Sequence, residues 1–121
     1  MSYTPVSIRP FIGSKNFEVS RSFYRDAGFE ETILSPDMSV FKKGTLAFYL
    51  QDAYVKDWID NTMVFVEVDD TESCYQELAA LNLPGKYNGA RLSTVQKFDW
   101  GSECYLHDPC GILWHFGSFK K

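Results

Sequence analysis

The chain is short of cysteine, of basic charge and of long apolar runs, and each shortage removes a class of function. Its three cysteines, Cys74, Cys104 and Cys110, are odd in number and form no Cys-x-x-Cys pair. The first residues also lack the basic and apolar regions of a secretory signal, so a reducing, cytoplasmic setting is expected. Lysine and arginine total 12 against 16 acidic residues, for a formal charge of −4. Nucleic acid is therefore not an expected partner, because phosphate binding needs clustered cations. No apolar stretch approaches a membrane span, so no membrane partner is expected either.

Aromatic residues, by contrast, are abundant, at 17% of the 121 positions. A chain of this length suits one domain, residues 1–121, burying about two-thirds of its unfolded surface. Most rings must pack the core. The surplus points to a flat, aromatic-lined cleft, and the acidic balance to a cationic small molecule as its occupant.

Hydrophobic periodicity divides the chain into two similar halves. Residues 6–12 read as a strand interrupted by Pro10, which removes a ladder donor and belongs at an edge, a bulge or an exchange point. Asn16 caps a helix with Phe17, Ser20, Phe23, Tyr24 and Ala27 on one face, and Gly28 stops it. Strands follow at 29–34, 38–42 and 45–51. The pattern then restarts with a strand at 62–68, a helix capped by Asp70 that carries Cys74, Tyr75, Leu78 and Leu81, and strands at 92–98, 102–106 and 112–116. The fold class is thus α+β, built from two β-α-β-β-β units at about 6–51 and 62–117. The stretch around Trp58 reads as loop, and residues 83–91 as a loop able to act as a flap.

The last two strands are joined by Asp108-Pro109-Cys110-Gly111, where proline presets one turn dihedral and glycine supplies a positive φ. Around this turn stand Trp100, Gly101, Glu103, Leu106, His115 and Phe116. This set resembles the C-terminal signature of bleomycin resistance proteins, within the glyoxalase, bleomycin-resistance and dioxygenase (vicinal oxygen chelate) superfamily. The similarity extends to Asp60-Asn61-Thr62 before a strand, and to Pro10-Phe11-Ile12 before a helix with Phe23-Tyr24 and Gly28-Phe29. It implies paired units whose curved mixed sheets surround a cavity, and a homodimer with an exchanged N-terminal arm and sites at the subunit interface.

The resemblance also places the metal-ligand positions of the superfamily's enzymes at Arg9, about Phe48 or Tyr49, Met63 and His115. Of these only His115 binds a divalent ion well, since a catalytic metal needs about three nitrogen or oxygen ligands from the protein. His107 lies at the other end of the hairpin. No cofactor and no catalytic residue is therefore expected. Strand alternation puts Arg9, Phe11, Leu46, Phe48, Leu50, Met63, Phe65, Glu67, Leu113 and His115 on one concave face. With Trp100 and Met38, the expected ligand-binding set is Trp100, Phe48, Phe65, Met63, His115, Phe11, Met38 and Glu67. Arg9 and Glu67 are expected to neutralise one another. The function that follows by analogy is noncatalytic sequestration of a planar, cationic molecule of the bleomycin kind. The alternative is a lyase or isomerase of the same fold that uses His115 and Glu103 as acid and base.

Overall fold

The computed structural model describes residues 2–121. Its first half runs β1 (Phe11–Gly13), α1 (Phe17–Asp26), β2 (Glu30–Ser35), β3 (Met38–Lys43), β4 (Leu46–Gln51) and a short α2 (Lys56–Asp60). The second half runs β5 (Met63–Glu67), α3 (Thr71–Ala80), α4 (Leu83–Lys86), β6 (Arg91–Leu92), β7 (Gln96–Phe98), β8 (Gly101–His107) and β9 (Leu113–Phe119). Each half folds as its own sheet, in the order β1-β4-β3-β2 and β5-β9-β8-β6, with β7 also pairing to β8. In both, the strand before the helix lies parallel to the last strand of the unit, and the remaining pairs are antiparallel.

The helices start where a side chain can take up an orphan amide. Asn16 accepts a hydrogen bond from the Val19 amide, and Asp70 accepts one from the Glu72 amide. Three local differences from expectation have simple causes. The first strand shrinks to Phe11–Gly13, preceded by an exposed arm, because Pro10 has no amide to donate; its carbonyl accepts instead from the Tyr49 amide. The strand expected at 92–98 splits in two because the Ser93 hydroxyl accepts the Tyr105 amide in place of a backbone carbonyl. Part of the expected loop at 83–91 winds into α4, where Pro84 suits a first helical turn and Leu83 is fully buried as an anchor.

The core lies between the sheets and the helices and is dense in rings. Tyr24 meets Phe23, Phe29, Phe41, Phe48 and Trp114 within 6.3 Å, mostly edge to face. Phe48 is only 2% exposed and pairs across the ladder with Phe41. This corrects the expected groove role of Phe48, and that of Leu50, which is also buried. The parallel register sets Phe11 opposite Tyr49, so it is Ala47, Tyr49 and Gln51 that share the face of Phe11. Leu46, Phe48 and Leu50 are the apolar half of an alternating strand, and the hydrophobic effect sends that half toward the helices.

One buried carboxylate joins the halves. Asp108 accepts the amides of Cys110, Gly111 and Ile112 on one oxygen and the Tyr24 hydroxyl, at 2.6 Å, on the other. Tyr24 in turn accepts from the Trp114 indole at 2.9 Å. Burial, reinforced by the charge of Asp108, pushes the Tyr24 hydroxyl well above its ordinary range, so it remains a donor. The chain from Trp114 through Tyr24 to Asp108 thus fixes the final hairpin against α1.

Candidate functional site

The candidate site is the face of the second sheet turned away from the helices. Its ladder rows are Met63, Leu113 and His107; Phe65, His115 and Tyr105; and Gly117 with Glu103. Gly117 is what lets the rings lie flat, since a Cβ there would stand 2.8 Å from the Phe65 ring. Gly101 sets the end of the hairpin in the same way. A Cβ on it would come within 2.0 Å of the Ser118 carbonyl, so only glycine allows β8 to run this close to β9 and hold Trp100 over the sheet.

The result is a continuous aromatic surface. Trp100 stacks on Phe98 with centroids 5.5 Å apart and planes 5° from parallel. Phe119 lies 5.5 Å from Trp100 and 5.8 Å from Phe65, and the Phe65 ring is tilted 28° from the His115 imidazole at 6.4 Å. Tyr105 meets His115 edge-on at 4.9 Å. Met63, Phe65, Trp100, Glu103, His115 and Phe119 line a hollow of about 380 Å³. Trp100 is 38% exposed and Phe65 44%, so their faces remain open to a ligand.

The polar element in this surface is a pair. His115 Nδ1 lies 2.6 Å from Glu103 Oε1, and Glu103 is 7% exposed. The carboxylate orients the imidazole, and Nε2 has no partner among the described residues, leaving one hydrogen-bonding atom for a ligand. Burial, followed by the Glu103 carboxylate, raises the Tyr105 hydroxyl above its ordinary range. His107, beside the turn, is lowered by burial and by Arg91, so it stays neutral more readily than an exposed histidine. Among the described residues no three His, Cys, Asp or Glu side chains converge on a point.

The structure therefore brings together Trp100, Phe65, Met63 and His115. Phe11 and Met38 sit on the corresponding face of the first sheet, where Phe11 is 59% exposed and stacks on Tyr49 at 4.7 Å. Arg9, in the arm ahead of β1, donates to the Tyr49 hydroxyl at 3.3 Å beside the first sheet rather than pairing with Glu67 of β5 in the second. Glu67 shares strand alternation with Phe65 but lies past the rings, on the edge of a separate cleft. Phe98, Tyr105 and Phe119 are the functional candidates that sequence reasoning passed over. The signal for Phe119 was alternation from His115 through Gly117 along a strand longer than expected, and that for Phe98 its place two residues before Trp100.

No family profile and no curated protein sequence matches the chain. Solved structures do. A bleomycin-binding protein from Streptomyces verticillus, in complex with copper(II)-bleomycin, superposes with a TM-score of 0.82 at 20% identity, over 98% of this chain and 100% of that one. A lactoylglutathione lyase from Agrobacterium tumefaciens gives 0.70 at 17% identity, over 96% of each chain. A glyoxalase/bleomycin resistance protein/dioxygenase from Nocardioides gives 0.72 at 17% identity, over 99% of this chain and 87% of that one. Binding proteins and enzymes alike are thus built on this framework, and the chain shares their α+β fold.

Proposed function

We propose that the second sheet's aromatic face binds a planar, cationic small molecule and holds it without reaction, as a bleomycin-binding protein would. The observation that carries this reading is the unbroken run Phe98, Trp100, Phe119, Phe65 and His115. Offset stacking adds about 0.5–1.5 kcal/mol per ring beyond area burial, so two or three rings hold a flat heteroaromatic at useful affinity. The net charge of −4 favours a cationic tail on the same molecule. The resemblance puts the ligand positions of the superfamily's enzymes at Arg9, about Phe48 or Tyr49, Met63 and His115, a set that would supply one good donor for a divalent ion.

The reading includes a homodimer. Val6 and Ile8 are 95% and 94% exposed in the arm ahead of β1, an apolar segment that a second copy would cover. Phe11, Tyr49 and Met38 of one copy would then face the rings of the other.

The test is a titration of the purified protein with metal-free and copper-loaded bleomycin, followed by tryptophan fluorescence, alongside elemental analysis of the protein. Saturable quenching without loss of ligand, from protein with no bound metal, is the expected result. Stoichiometric tightly held metal, or no response to either form, contradicts it. A second reading has one observation in its favour: the 2.6 Å pair of His115 and Glu103 is also an acid-base dyad. It requires turnover that a His115→Ala variant loses while ligand still binds.

A further inference from the structure

A hollow larger than the aromatic one lies on the other side of the second sheet. A cleft of about 970 Å³ opens between the end of α1 and the face of α3, against about 380 Å³ for the aromatic hollow. Its walls are Tyr24, Phe29, Leu46, Val66, Trp114 and Phe116. The sequence explains why it is open. The face of α1 buries Phe17, Ser20, Phe23 and Tyr24, whereas α3 buries only Thr71 and Leu78 and turns the small residue Cys74 toward the sheet. The second helix therefore covers its sheet incompletely and leaves apolar wall facing water.

Two further features define what fits. The polar groups in the walls are already engaged: the Tyr24 hydroxyl with Asp108 and Trp114, and the Ser73 hydroxyl with Asp70. The body of a ligand would thus find shape and apolar contact but no free hydrogen-bonding group. At the rim the charge is one-sided, with Glu67, Asp69, Asp70 and Glu77 against Lys43 alone.

We propose that this cleft is a second small-molecule site, independent of the aromatic face, and that it takes an amphiphilic cation with an apolar body and a single ammonium-type head. The apolar walls cover the body, and the rim carboxylates select the sign of the head. Nothing in this assignment depends on the reading of the ring-lined face.

Cys74 lines the cleft and serves as reporter. It is partly exposed, whereas Cys104 is fully buried and burial pushes the Cys110 thiol up to about 12, so Cys74 alkylates first. The experiment measures iodoacetamide alkylation of Cys74 in the full chain, by peptide mass mapping, with octyltrimethylammonium, octanesulfonate or octanol present. The expected result is at least fivefold protection by octyltrimethylammonium at concentrations where octanesulfonate gives none and octanol less. Leu46→Arg, at a half-exposed wall position, should abolish the protection without changing the unfolding transition, and Glu67→Gln with Glu77→Gln should weaken it three- to tenfold. Equal protection by the sulfonate overturns the charge assignment, and protection that survives Leu46→Arg overturns the location. Protection that rises with protein concentration alone would make a second copy the occupant, and would also overturn the proposal.

Discussion

The two halves follow one chain path but place their aromatic residues on opposite faces of the sheet. In the first, Phe41 and Phe48 point toward the helices and lock around Tyr24, and the outer face keeps mainly Phe11 and Tyr49. In the second, Phe65, Tyr105 and Phe119 point outward with Trp100, and the helix side receives Trp114 and Phe116 under a thinner helix. Topology alone thus does not make a binding surface. The parity of a few large residues along each strand decides which half is core and which is groove.

The largest expected effects are on the core side. Phe48→Ala should lose about 3–5 kcal/mol of stability in urea while leaving the ring-lined face intact. Asp108→Ala should lose a similar amount, because it strands three amides and the Tyr24 hydroxyl at once. A loss below about 1 kcal/mol in either would mean that the halves are not held as described.

Next in size is an acid effect confined to the first half. Burial alone would raise the Glu31 carboxyl, but hydrogen bonds from Arg21, Ser39 and Arg25 outweigh it and bring it to about 2. Because this folded value lies below the unfolded one, the stabilisation is fully present above about pH 5 and is lost as pH falls toward 2. Its size is on the order of 3 kcal/mol at neutral pH. Denaturation curves across that window should flatten in Glu31→Gln, and an unchanged pH dependence would remove this cluster from the account.

Smaller effects test the groove. Trp100→Ala should weaken binding of a planar ligand about tenfold, or about 1.4 kcal/mol, with little change in unfolding midpoint. In the proposed homodimer, Phe11→Ala should weaken it only about threefold. If Phe11→Ala has no effect in calorimetry, the first sheet lies outside the site, and the contrast between the halves becomes sharper still.

Much of this was legible in the sequence, for physical reasons that can be named. Asn16 and Asp70 announce helix starts because their side chains satisfy amides, and Asp108 to Gly111 announces a hairpin because its dihedrals are preset. The clustering of Phe65, Met63 and His115 followed from alternation once β5 and β9 were recognised, and Trp100 joined them from its place beside Gly101 just ahead of the hairpin. Phe48 was misplaced although its strand carried the correct signal: Leu46, Phe48 and Leu50 alternate with Ala47, Tyr49 and Gln51, and the wholly apolar set goes inward. The register between β1 and β4 could not be read, since it depends on which backbone groups Pro10 leaves available. Glu103 and His115 were named together only as an alternative acid and base; their direct contact depends on the hairpin register, which sets Glu103 opposite Gly117 and beside His115.

The most direct test of the central claim is the indole NMR signal of Trp100, assigned with a Trp100→Phe variant, during titration with bleomycin. A ring held by stacking predicts a saturable upfield shift of that signal, accompanied by shifts at Phe65, Phe119 and His115. Shifts that avoid these residues, or that gather on the first half alone, would contradict the account.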